Sequence, residues 1–466
     1  MTLKRLVMKF GGTSVGSGER IREVAEIVAG NRASETVVVV SAMSTVTNQL
    51  VEMAEKAING ITEDDIKNFA GHLKEKHAQA IRAAVAEEHR ELPLIEVEKL
   101  SKELEKVLVG ISYVGELTPR SRDYVMSFGE RLSAPIVSGA LKSRGVESSW
   151  FTGHEAGIIT DSNFGRAHPI WAKTNKKVRA KLGRRIKKGE IPVVTGFVAG
   201  DEQGRITTLS RGGSDFSAAI IGSALKADEI WIWTDVDGIY TTDPRIVKKA
   251  KTIDVISFAE AMELAYFGAK VLHPKTIEPA MEKDIPVRVK NTFKPDHPGT
   301  LIVREQKKID DIVKAVTVLD NCALLTISGV GMIGVPGVAA RVFTALAAER
   351  VNIMMISQGS SEVNISLVVE KGDLNRAIKT IKKAFPGKDI VKDVNYDKDI
   401  AVIAVIGAGM RGTRGVAARV FKAAADAGVN VLMIAQGSSE VNISFVVASK
   451  DAKKGVKALH QEFIVE

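Results

Sequence analysis

The side chains best suited to chemistry in this chain stand beside glycines. Lys9-Phe-Gly-Gly-Thr-Ser-Val-Gly16 closes an apolar run, and a helical pattern starts near Ser17. Two glycines let a backbone come close to a polyphosphate, while free amides and a helix N-terminus favour negative charge. The stretch is not a Walker loop, because no lysine follows Gly16; Lys9 precedes the glycines, with Phe10 between. A plain turn would also explain the paired glycines. A second stretch is Thr207-Thr-Leu-Ser-Arg-Gly-Gly-Ser-Asp-Phe-Ser217. Arg211 suits bidentate capture of a carboxylate and Ser214 can donate to oxygen, although Ser214 or Asp215 could equally cap the helix that begins there. The third is Thr234-Asp-Val-Asp-Gly-Ile-Tyr-Thr-Thr-Asp-Pro-Arg245, after an apolar strand, where open α/β sheets bind ligands. Tyr240 can face a base and Arg245 can meet a phosphate; an Asp-Gly turn alone also accounts for Asp237-Gly238.

The elements around these stretches divide the chain. Strand-like runs at Arg5–Phe10, Thr36–Ser41, Ile191–Thr195, Glu229–Thr234 and Val287–Lys290 alternate with long helical patterns, predicting an α/β body with a mostly parallel sheet. Gln49–Gly110 reads as a helical lobe, and prolines with a charge run place a boundary within Thr292–Asp311. The last third repeats itself. Gly329 to Phe343 returns as Gly407 to Phe421, and Gln358-Gly-Ser-Ser-Glu-Val-Asn-Ile-Ser366 returns unchanged as Gln436 to Ser444, both at an offset of 78 residues. Each copy reads strand, Gly-rich turn, helix, strand, strand, helix, and one more strand makes it ferredoxin-like βαββαβ. Ile312–Leu319 and Ile390–Val394 are the candidate extra strands. Both Gly-rich turns match the dinucleotide pattern, but Gln358 and Gln436 stand where an acidic residue would hold a ribose, so the reading is a tight turn or a small-effector cradle.

Composition narrows the partners. The formal net charge is +9 and aromatics are 5% of 466 residues, which suits anionic small molecules and offers few stacking platforms for nucleic acid. The one cysteine, Cys322, and the absence of any long apolar run predict a cytoplasmic chain with no membrane span and no export signal.

Lys9-Phe-Gly-Gly-Thr-Ser, Ser41-Ala-Met-Ser-Thr-Val-Thr-Asn48, Ser127-Phe-Gly-Glu-Arg131, Thr208-Leu-Ser-Arg-Gly-Gly-Ser-Asp215, Thr234-Asp-Val-Asp-Gly238 and Gly268-Ala-Lys-Val-Leu-His-Pro274, in this order and with the repeated tail, resemble the aspartate kinase family with its paired ACT domains. The resemblance covers essentially the whole chain. It implies an amino acid kinase-like αβα sandwich over 1–305, followed by a regulatory region 306–466. The first ACT repeat would span about 320–389, and the second about 390–466 plus strand 312–319, one unit inserted in the other. The implied reaction is transfer of the γ-phosphoryl group of MgATP to the β-carboxylate of L-aspartate. Lys9, Asp215 and Lys270 are then the expected catalytic residues. Lys9, Phe10, Gly11, Gly12, Thr234, Asp235, Tyr240, Arg245, Lys270 and Val271 are expected to bind ATP. Thr47, Glu130, Arg211 and Ser214 are expected to bind aspartate, with Glu130 on its α-ammonium and Arg211 on its α-carboxylate. Glu130-Arg131 as a surface ion pair and Thr47-Asn48 as a helix cap are the structural alternatives, and His273 receives no chemical role.

No His, Cys or acidic cluster has the spacing of a protein metal cage, so Mg²⁺ is expected to arrive with the nucleotide. Gln358, Asn364, Gln436 and Asn442 are expected to bind an amino-acid effector, threonine first and lysine second, in a homodimer or higher homo-oligomer joined through the ACT domains. The second repeat closes at Glu466, so a monofunctional member is expected. A kinase of the same fold with another carboxylate substrate and a non-catalytic amino-acid sensor are the alternatives.

Overall fold

The computed structural model describes residues 4–31, 34–210, 212–268, 276–305, 311–387 and 389–465. It divides into two compact units. The first holds Met1–Ile239, Asp254–Phe258 and Val271–Glu305; the second holds Gln306–Glu466 together with Tyr240–Ile253 and Ala259–Lys270. Two segments upstream of residue 305 therefore pack with the C-terminal unit.

In chain order the strands of the first unit are β1 (Lys4–Phe10), β2 (Ser34–Val40), β3 (Ser148–Phe151), β4 (Ile159–Thr160), β5 (Ile191–Thr195), β6 (Val198–Asp201), β7 (Ile206–Thr208), β8 (Glu229–Thr234), β9 (Val255–Ser257), β10 (Val287–Asn291) and β11 (Thr300–Val303). Eight of them form one sheet in the order β3-β5-β2-β1-β8-β10-β11-β9, and β4, β6 and β7 form a small second sheet. In the large sheet only the β10–β11 pairing is antiparallel. Strand β1 is central, and its Leu6, Val7 and Met8 are all buried, as expected of a strand covered on both faces. The predicted helical lobe is three helices, Val46–Ala57, Glu63–Ala84 and Glu91–Val114, joined by Pro119–Lys142. Thr62 caps the second of these, and Glu63, Asp64 and Asp65 complement the positive end of its dipole. This αβα body has the fold class expected from the sequence.

In the second unit, β12 (Ala315–Ser328), β13 (Ile353–Gln358), β14 (Asn364–Glu370), β15 (Asp393–Ile406), β16 (Met433–Gln436) and β17 (Asn442–Ala448) form one antiparallel sheet, ordered β13-β14-β12-β15-β17-β16. The two repeats share it because β12 and β15 are each 14 residues long and serve both. Ala315–Leu319 pairs with Val402–Ile406 of the second repeat, while Asp393 and Val394 pair with Ser328 and Ile327 of the first. This crossing explains the repeated glycines. A Cβ on Gly329 would lie 2.1 Å from the carbonyl oxygen of Ile390, and one on Gly407 would lie 2.3 Å from that of Ile312. The glycines admit the exchanged strands, so the dinucleotide-like pattern serves chain packing. The helices Val338–Ala348 and Val416–Asp426 bury Val338, Val342 and Leu346, and Val416, Val420 and Ala424, on two separate cores.

Candidate active site

The carboxyl ends of β1 and β2 open onto a pocket of about 390 Å³ in the first unit, lined among others by Lys9, Gly12, Ser44, Thr45, Thr47, Glu130, Ser214 and Asp215. Lys9 stands one residue before the end of β1. Its ammonium lies 2.6 Å from Asp215 Oδ1, with the two side chains 11% and 12% exposed. Asp215 Oδ1 has no directed hydrogen bond, so charge rather than bond geometry holds the pair.

The glycine turn after β1 is tightly built. Gly11 donates its amide to Trp233 of the neighbouring strand β8 at 3.1 Å, which removes it from the amides expected to meet a phosphate. Ser14 and Val15 both donate to the Gly11 carbonyl, while the amides of Gly12 and Thr13 have no partner among the described residues. A Cβ on Gly12 would sit 2.9 Å from the Ala42 carbonyl oxygen and one on Gly16 2.9 Å from Ser44 Oγ. Only glycine lets this turn pack against the loop after β2. Two free amides, Lys9 and the following helix Gly18–Ala29 make a cradle whose chemistry fits an anionic phosphate chain.

The loop Ser41–Thr45 forms the opposite lip. Thr45 has φ of 71°, left-handed backbone that a β-branched residue rarely adopts and that costs on the order of 1 kcal/mol. Its neighbours restrain it. Ser44 Oγ donates to Gly12 O at 2.8 Å, Lys76 Nζ donates to Ser44 O at 3.1 Å, and Ser133 Oγ donates to Ser41 O at 2.8 Å. Lys76 comes from the helical lobe, and no local motif in the sequence marks it.

Helix Pro119–Lys142 supplies the floor. Asp123 and Glu130 are seven residues apart, two turns, and so share one face. Buried Asp123 accepts from Thr208 N at 2.9 Å, Thr208 Oγ1 at 2.6 Å and Gly165 N at 2.9 Å. Glu130 accepts from Ser214 Oγ at 3.3 Å. One helix thus grips both ends of the segment 208–214. Burial pushes the Glu130 carboxyl well above the usual carboxylate range, against the lowering effects of Ser214, the Ala42 backbone and the Lys9 charge. Glu130 is buried, which excludes the surface ion pair; its neighbour Arg131 pairs with Glu103 at 2.9 Å. The capping alternatives also fail, because Gly212 occupies the N-cap of helix Gly213–Leu225 and Thr45 that of Val46–Ala57, leaving Ser214, Asp215 and Thr47 inside the helices.

The pocket therefore brings together Lys9, Gly12, Thr47, Glu130, Ser214 and Asp215. Phe10 is fully buried and stacks on Trp233 with ring centroids 5.7 Å apart, so it supports the turn from below. Thr234 ends β8 and Asp235 follows it in the same unit, where the Thr234 hydroxyl donates to Asp235 at 3.2 Å. Tyr240 and Arg245 belong to the second unit, Arg245 85% exposed and paired with Asp243. Arg211, Lys270 and Val271 lie outside the described residues. Gln358 and Gln436 are exposed at the ends of the two edge strands, with Asn364 and Asn442 half-buried at the starts of β14 and β17.

Comparison with known proteins identifies the family. Residues 4–291 match the amino acid kinase family, and residues 325–385 and 403–463 match an ACT domain. The chain is 36% identical to the bifunctional aspartokinase/homoserine dehydrogenase of Daucus carota over 98% of its own length, and it spans about half the length of that relative and others like it, 50% here. It is 37% identical to chloroplastic aspartokinase 1 of Arabidopsis thaliana, covering 98% of this chain and 80% of that one. Among solved structures, E. coli aspartokinase III in complex with aspartate and ADP superposes with a TM-score of 0.83 at 32% identity, covering 99% of this chain and 100% of the other. The aspartate kinase of Clostridium acetobutylicum gives 0.83 at 27% identity, covering 98% and 100%. Family models, a relative covered over four-fifths of its length and whole-chain structural likeness converge, and the chain belongs to the aspartokinase family.

Proposed function

We propose that the protein is an aspartate kinase, transferring the γ-phosphoryl group of MgATP to the β-carboxylate of L-aspartate to give 4-phospho-L-aspartate. The observation that carries this reading is the Lys9–Asp215 pair at a glycine turn, in one pocket with the buried carboxyl of Glu130. The nucleotide, when bound with Mg²⁺, supplies the phosphoryl group. Lys9, held at the strand end by Asp215, neutralises charge on that group, and the Gly12 and Thr13 amides receive phosphate oxygens. Lys270, Thr234, Asp235, Tyr240, Arg245 and Val271 complete the proposed nucleotide contacts.

The substrate's β-carboxylate is already an anion near neutral pH, so the site needs alignment and charge neutralisation rather than a strong base. Glu130 receives the α-ammonium, an opposite charge that offsets the burial raising its pKa. Arg211 takes the α-carboxylate, and Thr47 and Ser214 orient the substrate by their hydroxyls. The E. coli relatives solved with aspartate and ADP, and with lysine and aspartate, support this assignment by likeness. The aspartate branch leading to lysine, threonine and methionine, threonine as effector, assembly through the ACT domains and a cytoplasmic location belong to the same proposal.

The test is ATP-dependent aspartyl hydroxamate formation with coupled ADP release, in the presence and absence of millimolar L-threonine or L-lysine. Turnover with aspartate but not with acetylglutamate is expected, with inhibition by threonine. No aspartate-dependent ADP release would refute catalysis, and activity indifferent to threonine would refute the first-choice effector. Among the described residues no helix is long and apolar enough to cross a membrane.

A further inference from the structure

The two copies of Gln-Gly-Ser-Ser-Glu-Val-Asn-Ile-Ser are identical in sequence, yet they are not in the same chemical state. In the second repeat, the first amide of the Gly-rich turn, Ala408 N, donates to Glu260 Oε1 at 2.6 Å. The side-chain amide of Asn442 donates to Glu263 Oε2 at 2.8 Å, and its carbonyl accepts from Ser444 Oγ at 3.0 Å. Both carboxylates come from the helix Phe258–Tyr266, one turn apart on the same face. Glu260 is completely buried.

The matching donors of the first repeat, 78 residues earlier, are Val330 N and the side-chain amide of Asn364. Neither has a partner among the described residues, and Val330 is 73% exposed. A neighbouring turn contact is shared by both copies: Gly334 N donates to Glu362 and Gly412 N to Glu440, at 2.8 and 2.6 Å. One difference between the copies is a notch formed by a turn amide and an asparagine amide; Arg411 and Thr413, which replace Ile333 and Val335, add side-chain contacts of their own within the second turn. In one copy that notch is filled by carboxylates and in the other it is open.

We propose that Glu260 and Glu263 are a built-in ligand of the second repeat, their carboxylates occupying a site whose chemistry is that of an amino-acid carboxylate. This deepens the reading of the repeats as amino-acid sites and rests on it. The second notch is closed to free effector, and the helix Phe258–Tyr266 is clamped to β17 and the turn after β15. That helix leads along the chain into Lys270, and Thr317 Oγ1, donating to Phe267 O at 2.9 Å, fixes its end to β12. Asn442 thus becomes an internal fastener, whereas its twin Asn364 stays available to ligand.

Hydrogen exchange on the full chain tests this without turnover or effector, so it decides the clamp even where the effector reading fails. Glu260→Ala and Glu263→Ala should each speed exchange at residues 258–268 and at the turn 407–412 by tenfold or more, with the twin turn 329–334 unchanged. Glu260→Gln and Glu263→Gln, which keep an acceptor oxygen, should stay within about threefold of wild type and show that the fold tolerates the positions. The decisive arm adds sodium propionate, a free carboxylate with the carbon count of a whole glutamate side chain, to the alanine variants. Restored protection at 407–412, not reproduced by sodium chloride at equal ionic strength, marks a carboxylate-binding notch. Failure of propionate to restore protection, or a loss of protection spread evenly over both repeats, would overturn the proposal.

Discussion

His77 offers a way to measure how strongly the helical lobe is tied to the pocket. It lies in the helix Glu63–Ala84, fully buried, next to Lys76, which donates to Ser44 of the pocket lip. Its Nδ1 is 2.6 Å from Leu73 O, which can only accept, so the neutral ring carries its proton on Nδ1 and leaves Nε2 buried without a partner. Acid would put a second proton on Nε2 with no acceptor. Burial, with a smaller push from the Lys76 charge, holds the pKa down to about 4 from 6.5, against the raising effect of the Leu73 bond.

The folded pKa is depressed, so the unfolded chain takes up the proton first and stability falls as pH drops through this window. At about 1.4 kcal/mol per unit, the His77 contribution lost between pH 8 and pH 5 is about 2 kcal/mol, rising to about 3 kcal/mol near pH 4. Urea unfolding followed by tryptophan fluorescence reads the first unit specifically, because Trp150, Trp171, Trp231 and Trp233 all lie there. Carboxylates also titrate at low pH, so the observable is the difference in slope between wild type and His77→Leu. The variant should lose about 2 kcal/mol less between pH 8 and pH 5. Equal slopes for the two proteins would refute the assignment of a neutral, acceptor-less imidazole.

Three further outcomes follow from the site. Lys9→Ala should lower kcat at least about a hundredfold, the usual consequence of removing a preorganised charge from a transferring group; near-normal aspartyl phosphate formation would remove Lys9 from that role. Glu130 has a raised folded pKa, so the folded state holds its proton more tightly and stability falls as pH rises above the usual carboxylate range. Glu130→Gln should therefore raise the melting temperature at pH 8 but not at pH 4, while aspartate KM rises sharply; a variant less stable at pH 8 would contradict the sign. Asp123→Ala strands two amides and one hydroxyl inside the fold and should cost about 2–3 kcal/mol by urea titration, with a raised aspartate KM from loosening of segment 208–214. A cost below about 0.5 kcal/mol would show that water replaces the carboxylate.

The sequence by itself determined the class of fold, the family and the repeat. Apolar runs alternating with helical periodicity fix a covered parallel sheet, because both patterns follow from how side chains project from each element. The glycines at 11, 12 and 16 were legible as a turn, and the 78-residue offset located the paired units. Tertiary structure decided what those residues touch. Gly11 gives its amide to a strand more than 200 residues away, Lys76 reaches the pocket from a lobe with no motif, and Asp123 acts through three donors that no local pattern announces. The identical repeats show the reason most sharply. Asn364 and Asn442 have the same neighbours in sequence and in their own strands, yet only one meets a glutamate. Side-chain type and period are encoded locally, whereas a hydrogen bond or a desolvated charge depends on the partner that the rest of the chain delivers.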